Sequence, residues 1–182
     1  MLVHEILEHA AKRLAHKTAL VEGETSLTYG QAWQKVRALA TGLAAKGVGP
    51  GDRVALLFPN CLEFCLAYFA TLSLGAVAVP LNNRVASREF VYIINDADPV
   101  VLMLDQQFWS TYQAFKDELS GQPLVIYSGP EAPQGVLPLG EVCASGQDKP
   151  TTPLLGPDSP ACIMYTSGTT GLPKGAVMSH GN

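Results

Sequence analysis

The sequence predicts an α/β fold, a mostly parallel sheet flanked by helices on both faces. Three observations predict it. Apolar runs at Val54–Phe58, Ala76–Val79, Val100–Leu104, Leu124–Tyr127 and Ala161–Tyr165 lack in–out alternation, as strands do when both faces are covered. Most of these runs are separated by stretches with helical spacing, which implies right-handed crossovers. Of the 182 residues, 47% are apolar and 15% charged, the balance of a well-buried globular chain.

Val3, Ile6, Leu7, Ala10 and Leu14 recur at helical spacing and predict an amphipathic first helix. Thr18–Val21 and Ser26–Tyr29 flank a turn at Gly23 and predict a hairpin. Thr28 with Gln31 three residues on makes a capping box, and Gly47 closes the helix that follows. The buried stripe of that helix is Trp33, Val36, Leu39 and Leu43. Asn60 is the expected N-cap of a helix with Glu63 in its first turn and Gly75 at its end. Ser87 caps a helix ending near Asn95, and Phe108, Tyr112, Phe115 and Leu119 mark another. Residues 128–160 are rich in proline, glycine and serine and read as a surface excursion with at most short elements, Val136–Leu139 the best candidate.

From Phe64 to Leu81 there is no charge over about 18 residues, near the length that spans a bilayer. Gly75 and Pro80 interrupt it, so it reads as a buried helix followed by a buried strand, not a transmembrane segment. Glu5, His9, Lys12 and Arg13 break up the first helix and exclude a signal peptide. With a net charge of −4 and no basic block, a nucleic-acid partner is not expected. The four cysteines, Cys61, Cys65, Cys143 and Cys162, form no CxxC pair and read as core thiols of a cytoplasmic protein. Trp33, Trp109, Phe64, Tyr68 and Phe69 read as core, and His4, His9 and His16 as surface residues.

Chemistry concentrates in residues 165–175, YTSGTTGLPKG. Gly168, Gly171 and Gly175 permit backbone angles that let amide N–H groups converge on an anion. The hydroxyls of Thr166, Ser167, Thr169 and Thr170 are donors that can turn toward phosphate oxygens, and Lys174 adds a mobile positive charge. The bland alternative is a flexible hairpin tip; the proline, the lysine and the flanking strands favour nucleotide phosphate. It is not a Walker A loop, because Pro173 precedes the lysine and Gly175 follows it, with strand-like Ala176–Met178 next. The frame is strand–loop–strand.

This segment resembles the phosphate-loop signature of the adenylate-forming (AMP-binding) superfamily, which comprises acyl-CoA synthetases, adenylation domains of peptide synthetases and firefly-type luciferases. Leu27–Tyr29, Gly51–Ala55, Pro59–Asn60 and Gly75–Asn82 resemble family segments in the right order, and Ser179–Asn182 resembles the acyl-CoA synthetase (fatty-acid–CoA ligase) version. The resemblance implies part of the large N-terminal domain of an AMP-forming acid–thiol ligase. Such an enzyme joins a carboxylate to Mg-ATP as an acyl-adenylate and passes the acyl group to coenzyme A. An amino-acid-adenylating domain and a non-catalytic nucleotide-binding module are the alternatives. It also implies that Thr166, Ser167, Gly168, Thr169, Thr170, Gly171 and Lys174 grip the nucleotide phosphates and that Thr166 helps hold Mg2+. His180 has two readings, a border of the acyl pocket, or a helix-start or packing histidine.

In the family the ribose-binding aspartate and catalytic lysine lie downstream, so no catalytic residue is assigned here, and the chain is expected to be an inactive N-terminal fragment. Residues 1–50 are expected to belong to an incomplete subdomain and residues 51–182 to an α/β subdomain ending in the loop. Faces such as Val36, Leu39 and Leu43 would then be poorly covered, and the chain is expected to self-associate.

Overall fold

The computed structural model describes residues 1–83, 87–145, 154–166 and 172–182. The chain opens with helix α1 (Glu5–Leu14), then strands β1 (Thr18–Glu22) and β2 (Thr25–Thr28), which pair as an antiparallel hairpin. Helix α2 (Tyr29–Ala45) follows, started by the expected capping box: the Thr28 hydroxyl accepts from the Gln31 amide at 3.3 Å and the Gln31 side chain accepts from the Thr28 amide at 2.8 Å. Gly47, at φ +89°, turns the chain out of the helix.

The alternating part comprises β3 (Arg53–Leu57), α3 (Leu62–Ser73), β4 (Val77–Pro80), α4 (Ser87–Ala97), β5 (Val101–Asp105), α5 (Trp109–Phe115) and β6 (Leu124–Ser128). Short β7 (Leu137–Pro138), helix α6 (Leu139–Ser145) and the last strands β8 (Pro160–Thr166) and β9 (Lys174–Ser179) complete it. Seven strands form one sheet in the order β7-β6-β5-β3-β4-β8-β9, parallel throughout except for the antiparallel β8–β9 pair.

Period-two geometry splits each central strand between two cores. Val54, Leu56, Val101, Met103 and Ile126 face a cluster that includes α2, α3 and Val142 of α6. Ala55, Leu57, Leu102, Leu104 and Tyr127 face a second cluster with Phe90, Ile93 and Ile94 of α4 and Phe115 of α5. The uncharged Phe64–Leu81 stretch is a helix and a buried strand, and among the described residues no helix is long and apolar enough to cross a membrane.

Several local expectations are corrected. The N-cap of α3 is Cys61, not Asn60: its sulfur accepts from the Phe64 amide at 3.4 Å, and the Glu22 carboxylate reaches from the hairpin to accept from the Leu62 amide at 2.8 Å. Ile6 and Leu14 of α1 are exposed, and the helix buries Leu7 and Ala11 instead. Residues 128–160 hold two short elements, β7 inside the expected Val136–Leu139 and the seven-residue α6 after it. Val36, Leu39 and Leu43 are not poorly covered. They are 0–2% exposed, because α3 and α6 of the same chain pack on α2.

Candidate phosphate-binding site

The two ends of the predicted loop meet across the β8–β9 pair. Thr166 lies opposite Lys174, Tyr165 opposite Gly175 and Met164 opposite Ala176. Because β8 runs parallel to β4, Thr166 leaves the sheet at the carboxyl ends of the parallel strands, the edge where open α/β sheets bind ligands. Thr166 and Lys174 are exposed, while Pro173 between the loop and the lysine is buried. The stem therefore presents one hydroxyl and one ammonium to solvent from adjacent strand ends. Of the predicted phosphate ligands, Thr166 and Lys174 are brought together; Ser167, Gly168, Thr169, Thr170 and Gly171 lie outside the described residues.

A feature that the sequence did not disclose holds this stem. The Tyr165 hydroxyl donates to the Asp96 carboxylate at 2.5 Å, across 69 residues of sequence. Burial, then the adjoining Asp96 carboxylate, pushes the Tyr165 phenol up from its ordinary value, so it stays a donor. No local pattern announces this pair; only the tertiary approach of α4 to β8 creates it.

The cysteines offer no nucleophile near the loop. Cys162, in β8, is buried and burial raises its thiol to about 11. Burial also raises Cys61 to about 11 and lifts Cys65 and Cys143. Such thiols are protonated at neutral pH and behave as small apolar groups. Trp33, Phe64, Tyr68 and Phe69 pack against the first core cluster and Trp109 against the second, as expected for core residues.

His180 follows β9 and is 1% exposed, with its ring centroid 5.0 Å from that of His4 in an edge-on contact. Its amide donates to the Ser159 carbonyl at 2.9 Å, docking the end of the chain onto the turn before β8. His4 was expected at the surface; it is 8% exposed because this contact covers it, whereas His9 and His16 are exposed. Burial lowers the pKa of both paired imidazoles, with Glu5 and Glu8 opposing at His4 and Glu5 opposing at His180.

Among the described residues no group of three or more His, Cys, Asp or Glu side chains could hold a metal ion. Were Mg2+ bound, the exposed Thr166 hydroxyl could offer it one neutral oxygen.

The AMP-binding enzyme family model matches residues 7–182, nearly the whole chain. The chain belongs to the AMP-binding enzyme family. A long-chain-fatty-acid–CoA ligase of Thermus thermophilus is 39% identical over 181 residues, covering 97% of this chain and 33% of that protein. A 3-hydroxybenzoate–CoA/4-hydroxybenzoate–CoA ligase of Thauera aromatica is 37% identical over 171 residues, covering 93% of this chain and 33% of its own length. Among solved structures, the anthranilate CoA ligase AuaEII in complex with anthranoyl-AMP superposes with a TM-score of 0.90 at 27% identity, covering 100% of this chain and 35% of that one. The chain thus spans about a third of the length of these AMP-binding relatives.

Proposed function

We propose that this chain is part of an AMP-forming acid–thiol ligase that activates a carboxylic acid as its acyl-adenylate and transfers it to coenzyme A. The observation that carries the reading is the pairing of Thr166 with Lys174 at the carboxyl edge of the sheet, inside a family match that spans the chain. The relatives reported above are named as CoA ligases for fatty and aromatic acids, which favours this reading over an amino-acid-adenylating domain or a non-catalytic module.

The roles follow from charge. The substrate carboxylate oxygen attacks the α-phosphorus of ATP, the bond to the β-phosphate oxygen breaks, and pyrophosphate leaves with the negative charge. The Lys174 ammonium, with donors from Thr166, Ser167, Gly168, Thr169, Thr170 and Gly171, holds the β- and γ-phosphates and stabilises that leaving group. Mg2+, when bound with ATP, neutralises phosphate charge; Thr166 supplies one oxygen toward it. In the second step the coenzyme A thiol gives up its proton to solvent, its sulfur bonds to the acyl carbon, the bond from that carbon to the phosphate oxygen breaks, and AMP leaves with that oxygen. The division of the larger protein at residue 50 is part of the proposal; within this chain α2 and the sheet share one core. So is a cytoplasmic location, which suits four free thiols.

ATP–pyrophosphate exchange by the complete polypeptide, with a panel of fatty, aromatic and amino acids, tests the reading. Exchange driven by fatty or aromatic acids, followed by thioester formation with coenzyme A, is the expected outcome. Exchange driven only by amino acids, or none with any acid, contradicts it. The 182-residue chain alone is expected to give no exchange above a no-protein control.

A further inference from the structure

We propose that Tyr165 and Asp96 are positioning residues for the phosphate-binding stem, locking the ends of β8 and β9 to helix α4. The proposal rests on the reading of Thr166 and Lys174 as phosphate ligands and adds to it the device that sets where they stand.

Two contacts build the lock. Tyr165 precedes Thr166 on β8, and its hydroxyl donates to Asp96 Oδ2 at 2.5 Å. The Tyr165 ring lies over the strand opposite: a methyl group added at Gly175 would come within 3.0 Å of Tyr165 Cζ and 2.9 Å of Ile163 Cγ2. Gly175 is therefore a glycine for space, and it directly follows Lys174. One tyrosine side chain thus covers β9 beside the lysine and reaches α4 from the residue beside the threonine.

The far side of the lock is itself fixed. Arg53, at the start of β3, donates through Nε to the Ala97 carbonyl at 2.9 Å and through Nη2 to the Asp98 carbonyl at 2.7 Å. Asn95 accepts from the Ser120 amide at 2.8 Å. The last turn of α4 is held on both sides of Asp96, which fixes the backbone from which its exposed carboxylate reaches Tyr165. Ligand groups that must meet a developing charge gain from being placed before the ligand arrives, because a misplaced group loses most of its effect.

The experiment has two readouts. In the 182-residue chain without ligand, Tyr165→Phe and Asp96→Ala are expected to speed amide exchange at Thr166, Lys174 and Gly175 by roughly three- to tenfold while leaving Val54–Leu57 unchanged. The double variant should exchange no faster than either single one, because both remove the same bond. Asp96→Asn, which keeps an acceptor, should restore most of the protection, and Gly175→Ala should reproduce the loss by displacing the ring. In the complete ligase the same variants should raise KM for ATP by a similar factor and leave KM for the carboxylic acid unchanged. Unchanged exchange at the stem, additive effects in the double variant, or equal rises in both KM values each overturn the lock. Lys174→Ala separates the two ideas. If that variant leaves ATP kinetics intact while Tyr165→Phe still loosens the stem, the lock stands and the phosphate reading fails.

Discussion

At the scale of single residues, the buried histidine pair has the clearest consequence. His4 and His180 meet edge-on, and among the described residues His4 Nδ1 and both ring nitrogens of His180 have no hydrogen-bond partner. Charging either ring in place costs desolvation, and their folded pKa values lie below the ordinary 6.5. The unfolded chain therefore binds more protons between the folded pKa and 6.5, so stability is full above that window and falls as the pH drops through it. Glu5 and Glu8 face the pair and oppose this shift without cancelling it. The melting temperature is expected to fall between pH 7 and pH 5, and to fall less steeply in His180→Phe. An identical pH slope in that variant would remove the pair as the cause.

At the scale of elements, Gly42 shows a packing constraint hidden inside a helix. A methyl group there would lie 1.8 Å from the Val142 carbonyl oxygen, so α6 rests on α2 only because residue 42 has no side chain. Helix propensity alone predicts that Gly42→Ala stabilises by about 1 kcal/mol. Overpacking predicts the opposite, a loss of about 1–3 kcal/mol as α6 is pushed off. Denaturant unfolding decides by sign, and a gain in stability would contradict the packing described here. The same helix pair marks how far the sequence could be read. Strands with both faces covered are continuous apolar runs, so β3, β4, β5 and β6 stood out, and the capping box of α2 is local by nature. Helix α6 did not, because its seven residues sit in a proline- and glycine-rich stretch and bury only Val142. The cap of α3 falls on Cys61 rather than Asn60, and the carboxylate that takes the Leu62 amide comes from Glu22 in the hairpin, forty residues away in sequence. At the site, the meeting of Thr166 with Lys174 was legible as strand–loop–strand, whereas the bond from Tyr165 to Asp96 depends on how α4 crosses to β8.

At the scale of the whole molecule, apolar exposure sits somewhere other than the sequence suggested. The faces of α2 are covered, but Met164, Val177 and Met178 on β8 and β9 are 42%, 63% and 44% exposed, and among the described residues β9 is an outermost strand of the sheet. An apolar edge strand invites pairing with a second copy. Sedimentation at several concentrations is expected to show reversible association that Val177→Lys weakens. A compact monomer at all concentrations would contradict it. In the proposed site the stem of β8 and β9 holds nucleotide phosphate, and Lys174 is its one charged ligand. Removing a charge-assisted contact of about 2 kcal/mol should slow the adenylation half-reaction by about thirtyfold. The measurement is ATP–pyrophosphate exchange by the complete ligase at saturating carboxylic acid, wild type against Lys174→Ala, with the fold of the variant checked by its melting temperature. A loss near thirtyfold in a folded variant is the predicted result, and unchanged exchange kinetics would show that Lys174 does not touch the phosphates.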